Sequence, residues 1–191
     1  ATQVLGSMTD SPQATRAEIS DVANAVIQGV DCIMMSEETA NGHYPLEAIQ
    51  TMKRTIMTTQ QHVPVQPLAR PEGISGIAAS ISEAAVRVAN EVGAQAIVAE
   101  TKSGATAAYI AANRPSVPII SVTSSKRVAQ QLVLFYANKS FVRPDGDHAG
   151  MPLARELVGN GMLQAGVPVV LVSGVQPGVK GGTDTIRVRT L

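Results

Sequence analysis

A run of hydroxyl-bearing residues around a glycine is the part of this sequence best suited to bind an anion. It follows an apolar segment, precedes a helical pattern, and consists of Thr101, Lys102, Ser103, Gly104, Ala105 and Thr106. A helix N-terminus presents unpaired N–H groups and partial positive charge, and glycine lets the backbone approach a ligand. These residues therefore predict a phosphate cradle. They also suit an ordinary capped strand–helix turn, and the residue types alone leave both interpretations open.

A second candidate loop lies near the start of the chain. Residues 32–35 are a continuous apolar run, typical of a fully buried strand, and Pro45 suits the first position of a helix. The polar residues between them, with Ser36 and Glu38, should lie at the carboxyl end of that strand, where parallel α/β folds bind ligands. Glu38 is equally suited to pairing with a nearby backbone N–H or an arginine.

A glycine-rich segment over residues 174–185 carries Lys180, which could meet a phosphate group or simply be solvated on a hairpin loop. No G-x-x-x-x-G-K-[ST] or strand-following G-x-G-x-x-G pattern occurs, which disfavours Walker-type and dinucleotide sites.

The elements around the first loop are helical. Thr15 and Glu18 have capping-box spacing, and an apolar stripe with Val22 and Val26 follows them. Residues 45–62 predict a further helix. Three prolines within residues 63–71 then indicate a linker over 64–72, which separates a first part, 1–63, from a second, 73–191.

The second part alternates between helical and strand patterns. Helices are predicted from Gly73 to about Val92 and over residues 106–114, 126–135 and 150–165. Strands are predicted over residues 96–99, 118–122, 140–142, 167–172 and 186–189, the last at an edge. This alternation predicts a mostly parallel, doubly wound, three-layer α/β/α domain.

Composition excludes several classes of protein. The 191 residues carry 15 Lys+Arg and 15 Asp+Glu with 3% aromatic residues, which argues against a nucleic-acid partner. No apolar run long enough to span a membrane occurs. The single cysteine, Cys32, fits a cytoplasmic location and is expected to be a buried, inert thiol. The three histidines have no zinc-ligand spacing.

Four motifs in order closely resemble the pyruvate kinase family. They are A-T-Q-x-L from Ala1, T-R-A-E-x-S-D-V-A-N-A-V from Thr15, G-x-D-C-I-M-x-S-x-E-T-A from Gly29, and G-x-Y-P-L-E-A from Gly42. The resemblance implies the last two helical units of a (β/α)8 barrel over residues 1–63, followed by the family's carboxyl-terminal domain. The chain would then be a portion of a longer polypeptide.

The resemblance also implies site residues. Thr2, Ser36 and Glu38 would lie at the catalytic pocket, where the Thr2 hydroxyl could donate to bound pyruvate. Residues 101–106 would bind a phosphorylated effector, a sugar phosphate or AMP, and the glycine-rich segment would close over it through Gly178, Lys180, Gly182 and Thr183. Glu37 departs from the family's usual glycine. If that position required a positive φ, Glu37 would cost roughly 1 kcal/mol or more and put catalysis in doubt.

The implied activity is phosphoryl transfer from phosphoenolpyruvate to ADP, giving pyruvate and ATP, in a cytoplasmic homo-oligomer with allosteric control. Magnesium and potassium would serve the complete enzyme, with their ligands outside this chain, and we expect no metal site within it. The isolated chain is expected to be inactive. The alternative is a non-catalytic module that binds a sugar phosphate or nucleotide. A hydrolase is disfavoured because no G-x-S-x-G motif occurs.

Overall fold

The computed structural model describes residues 1–68, 76–144, 149–174 and 182–191. The chain divides into two compact units, Ala1–Pro67 and Leu68–Leu191. Part of the predicted linker, residues 69–72, lies outside the described residues.

The first unit is helical. It contains a short 3₁₀ helix, Gly6–Thr9, and three α-helices: α1, Arg16–Ile27; α2, Glu37–Ala40; and α3, Pro45–His62. The predicted capping box is confirmed, because Thr15 accepts from the Glu18 N–H while the Glu18 side chain accepts from the Thr15 N–H. Pro45 begins α3 as predicted. Local sequence therefore sets where both long helices begin.

The core of the first unit is small. Its buried apolar residues come from the 3₁₀ region and both long helices: Leu5, Met8, Val22, Ala48 and Met52. Leu46 and Ile49 on α3 are 56% and 51% exposed. One side of α3 therefore presents apolar side chains outside this core.

The predicted strand at residues 32–35 is not formed. These residues are outside any strand, Met34 is 51% exposed, and Cys32 is exposed rather than buried. A buried parallel strand requires neighbouring strands on both sides to pair its backbone groups. Within residues 1–67 the structure contains only helices and connecting segments, so this run has no sheet to join.

The second unit alternates helices and strands as predicted. Its helices are α4, Ile77–Glu91; α5, Ala105–Ala112; α6, Lys126–Leu132; and α7, Gly150–Gly159. Its strands are β1, Ile97–Glu100; β2, Ile119–Thr123; β3, Asn138–Val142; β4, Pro168–Gly174; and β5, Thr183–Thr190. The helices at 126–135 and 150–165 are shorter than predicted, ending at Leu132 and Gly159.

The five strands form one sheet in the order β3-β2-β1-β4-β5. The last strand, β5, lies at an edge of the sheet, as predicted. All neighbouring pairs are parallel except β4 and β5, whose antiparallel pairing was not predicted. One face of the sheet packs against α4, α5 and α6 through side chains such as Ile97, Ile110 and Leu132, and the other packs against α7 through Leu153 and Leu157. The three-layer α/β/α architecture is confirmed.

The strand order also shows where the winding of the sheet reverses. The chain proceeds from β1 outward to β3 and then returns to the other side of β1 with β4, so the direction of winding reverses beside β1. Ligands of open α/β sheets bind at the carboxyl ends of strands at such a reversal. Residues 101–106 directly follow β1.

Within the described ranges, no helix combines the length and apolar character needed to cross a membrane.

Candidate functional sites

The buried carboxylate of Glu38 joins two of the sequence motifs in the first unit. One of its oxygens accepts the backbone N–H of Leu5 at 2.9 Å, and the other accepts that of Ser36 at 2.8 Å. Glu38 is only 1% exposed. The A-T-Q-x-L segment and the S-x-E-T-A loop are therefore held together by one side chain.

The environment of Glu38 stabilises its ionised form. Burial raises the pKa of the carboxyl, but backbone N–H groups, first those of Leu5 and Ser36, outweigh burial and hold the pKa below its usual value. An ionised carboxylate only accepts hydrogen bonds. At neutral pH Glu38 therefore carries no proton to give to a reacting group.

The loop from Ser36 to Gly42 is compact. Glu37 is the first residue of α2 and is not among the residues with positive φ, so the strain expected of a glycine replacement does not arise. Gly42 is the position where a side chain would not fit, because a Cβ there would lie 2.8 Å from the Glu38 carbonyl oxygen and 3.2 Å from the Thr9 Cα.

Thr2 lies at the exposed start of the same segment, three residues before Leu5. Thr2 and Gln3 have φ values of 63° and 51°, a left-handed conformation that costs roughly 1–2 kcal/mol for each non-glycine residue. Such strain persists only where surrounding contacts enforce it.

Glu18 on α1 is a second carboxylate that contacts this segment, and the sequence indicated only its part in the capping box. It accepts from the Ser7 N–H at 2.7 Å and the Ser7 hydroxyl at 2.5 Å, and from the Thr15 N–H and hydroxyl at 2.8 Å. Burial raises the pKa of Glu18, but these bonds lower it to about 2. Capping-box spacing identified the Thr15 contact, whereas nothing in the sequence marked Ser7.

In the second unit, residues 101–104 form a turn between β1 and α5, and Ala105 and Thr106 are the first residues of α5. The Gly104 N–H donates to the Thr101 hydroxyl at 2.9 Å, and Gly104 has a φ of 90°. A Cβ at Gly104 would lie 3.3 Å from both Leu132 and Val128. Glycine is therefore required for conformation and for packing, and the neighbouring Ser103 is exposed.

Lys102 reaches the loop that follows the adjacent strand. Its amine donates to the Ser124 hydroxyl at 2.9 Å, and Ser125 caps α6 by accepting the Val128 N–H at 3.3 Å. Ser124 was not among the residues predicted from the sequence. One feature of the sequence could have identified it: Ser124 and Ser125 directly follow the strand pattern of β2. The carboxyl ends of neighbouring parallel strands meet at one edge of a sheet, so residues after β2 should lie near residues after β1.

Two hydroxyls join α5 to the start of β5. Thr106 and Thr183 are 4% and 8% exposed, and their side-chain oxygens lie 2.6 Å apart. Gly182 precedes this contact, and its carbonyl leaves no room for a side chain at Gly174. Ala105 begins α5 and is exposed. The predicted residues Gly178 and Lys180 lie outside the described residues.

Glu100 at the end of β1 is a further residue that sequence reasoning missed. Its carboxylate accepts the backbone N–H of Gly150 at 2.8 Å and so caps α7. Across the described parts of the chain, no group of three or more His, Cys, Asp or Glu residues is placed to hold a metal ion.

Comparisons with known proteins cover both units. A family model described as "Pyruvate kinase, alpha/beta domain" matches residues 79–189, and one described as "Pyruvate kinase, barrel domain" matches residues 1–49. The chain is 38% identical to a pyruvate kinase of Agrobacterium vitis, over 98% of this chain and 40% of that protein. It is 37% identical to pyruvate kinase 2 of a Synechocystis species, over 100% of this chain and 33% of that protein. A pyruvate kinase of Geobacillus stearothermophilus is 36% identical, over 100% of this chain and 34% of that protein. The chain thus spans well under half the length of these relatives.

Proposed function

The chain belongs to the pyruvate kinase family, and on this premise we propose that it is the carboxyl-terminal portion of an enzyme that transfers a phosphoryl group from phosphoenolpyruvate to ADP. The products are pyruvate and ATP. Residues 1–63 supply part of the catalytic barrel, 64–72 the linker, and 73–191 a regulatory domain. The observation that carries the proposal is the Glu38 carboxylate, which ties the Thr2 segment to the Ser36 loop.

In this function the first unit supplies one wall of the reaction centre. Phosphoryl transfer depends mainly on positioning and on neutralising charge. The Thr2 hydroxyl donates to an oxygen of bound pyruvate, and Ser36 belongs to the same pocket, which the shared Glu38 carboxylate supports. Magnesium and potassium would supply positive charge in the complete enzyme, and we assign none of their ligands to this chain.

In the second unit, residues 101–106 together with Gly182 and Thr183 bind a phosphorylated effector, a sugar phosphate or AMP. The support is the position of this loop beside the reversal in strand order, the exposed Ser103 hydroxyl, and the Lys102 amine at the same sheet edge. Hydrogen bonds to a charged phosphate contribute about 1.5–3 kcal/mol each, more than the helix dipole alone. The complete enzyme is expected to be a cytoplasmic homo-oligomer.

The catalytic proposal is tested by assaying ATP formation from phosphoenolpyruvate and ADP. We expect turnover from the complete polypeptide and none from residues 1–191 alone, because the metal ligands lie elsewhere. A complete polypeptide without turnover would contradict the proposal, as would clear turnover by the isolated chain.

The effector proposal is tested by calorimetry. Fructose 1,6-bisphosphate, ribose 5-phosphate and AMP are titrated against the chain, Ser103→Ala, and the matched control Ser80→Ala on the exposed side of α4. We expect only Ser103→Ala to weaken binding, by roughly 10-fold or more. Equal affinities in both variants would remove this loop from the site.

The alternative of a non-catalytic phosphate-binding module is favoured by one observation: the second unit has a complete sheet with a buried core on each face. Effector binding by a complete polypeptide that lacks turnover would select this alternative.

A further inference from the structure

Glu38 is poorly suited to the catalytic role that its motif suggests. A group that exchanges protons with substrate must reach it, yet Glu38 is 1% exposed and each of its oxygens already accepts a backbone N–H. Its two partners, however, belong to the two segments that carry Thr2 and Ser36.

We propose that Glu38 is a positioning residue that fixes the Thr2 hydroxyl relative to the Ser36 loop, and that Glu18 anchors the other end of the same turn. The proposal rests on the proposed function and identifies how that reaction centre is built. Glu38 holds the turn at Leu5, and Glu18 holds it at Ser7. Between these two points the backbone cannot shift without breaking a hydrogen bond to a carboxylate.

The conformation of the preceding residues fits this arrangement. Thr2 and Gln3 are both left-handed, which non-glycine residues avoid unless their surroundings enforce it. Leu5 follows this pair after one residue and is fully buried, so its N–H bond to Glu38 anchors the chain just after the strained pair. A 1 Å displacement of a reacting group can reduce a rate about 100-fold.

The test is a double-mutant cycle in the complete enzyme, with Thr2→Ala, Glu38→Gln and their combination. Glu38→Gln preserves the shape of the side chain, but its amide N–H₂ then faces the backbone N–H of Leu5 or Ser36, and two donors cannot bond each other. We expect kcat to fall roughly 10- to 100-fold, with little change in the KM for ADP. If Glu38 acts through Thr2, the double variant should be hardly slower than Thr2→Ala alone. Glu38→Asp, which keeps the charge, should retain more activity than Glu38→Gln.

Glu47→Gln is the control, because Glu47 is an exposed residue in the first turn of α3. Additive effects of Thr2→Ala and Glu38→Gln in an active enzyme would overturn the positioning role and leave the proposed function standing. An unsubstituted enzyme without turnover would overturn both.

A second measurement covers the case in which Glu38→Gln fails to fold. Amide hydrogen exchange of the unsubstituted protein should show the Leu5 and Ser36 N–H groups protected, and Glu38→Asp should speed both together. Rapid exchange of either amide in the unsubstituted protein, or independent changes in Glu38→Asp, would contradict the proposal.

Discussion

The two candidate sites are built from opposite kinds of hydrogen-bonding group. In the first unit, two ionised carboxylates accept bonds from the backbone of a turn that follows two residues in the left-handed conformation. In the second unit, hydroxyls, an amine and a left-handed glycine form a turn at a sheet edge. The first arrangement relies on charged acceptors, whereas the second pairs hydroxyls and one amine with each other and with the backbone. The proposed reaction centre is thus fixed by carboxylates, and the proposed effector loop by hydroxyls, an amine and a glycine.

The largest effect should come from removing the Glu38 carboxylate altogether. Glu38→Ala leaves the Leu5 and Ser36 N–H groups without their acceptor in a buried place, which costs about 1–3 kcal/mol for each. We expect the first unit to lose about 3 kcal/mol in free energy of unfolding, measured by amide exchange of α1 and α3. Exchange in the second unit should not change, and Glu47→Ala is the matched control. A loss below 1 kcal/mol would mean that the carboxylate does not hold the two segments together.

The corresponding change in the second unit is Gly104→Ala. A Cβ at φ 90° is strained and would lie 3.3 Å from Leu132 and Val128, so we expect a loss of about 2 kcal/mol. Chemical denaturation monitored in the second unit measures it. Gly159→Ala on α7 is the control, since a Cβ there meets nothing within 4 Å. Equal stability of the two variants would show that the turn at Gly104 can accept a side chain without loss. The two units would then differ less in how tightly their turns are fixed.

The free energy of unfolding of the first unit should depend on pH through Glu18. The pKa of Glu18 is about 2 in the folded chain against an ordinary value of 4.5. The stabilisation of the folded state by the Glu18 carboxylate is therefore complete above about pH 4.5 and is lost as the pH falls toward 2. The shift sets an upper bound of about 3 kcal/mol, and solvent screening of this partly exposed group reduces it to about 1–2 kcal/mol.

Glu18→Gln should remove this contribution to the pH dependence from the first unit alone. Unit-specific thermal unfolding between pH 2 and 5 measures it. An unchanged slope in the variant would contradict the assignment.

The smallest effect should come from the hydroxyl pair between α5 and β5. Thr183→Val leaves the buried Thr106 hydroxyl without this partner and should cost about 1 kcal/mol, whereas Thr106→Val with Thr183→Val should recover part of the loss. Denaturation midpoints measure both. A double variant that loses the sum of the single effects would show that the two hydroxyls act separately.

Prediction from sequence succeeded where the determining contacts are local. The capping box at Thr15, the start of α3 at Pro45 and the alternation of the second unit depend on nearby residues and on side-chain periodicity. The prediction of a strand at residues 32–35 was wrong because an apolar run forms a strand only beside other strands. The predicted burial of Cys32 depended on that strand and was also wrong.

The candidate sites were harder to predict in full. Their residue types were recognisable, but the partners were not, since Glu38 bonds Leu5 across 33 positions and Lys102 bonds Ser124 across 22. Spacing along the chain gives no measure of such contacts. The same limit hid the second role of Glu18, whose partner Ser7 lies 11 positions away.

The close fit of Gly104 against Leu132 and Val128 has an evolutionary consequence. In a lineage that acquires a side chain at position 104, Leu132 or Val128 has to move by a few tenths of an ångström or be replaced by a smaller residue, so substitutions at these three positions are linked. Where glycine persists, the two α6 positions are free to keep bulky aliphatic residues. An alignment of relatives should therefore show correlated substitution among these three positions, because they share the space beside Gly104.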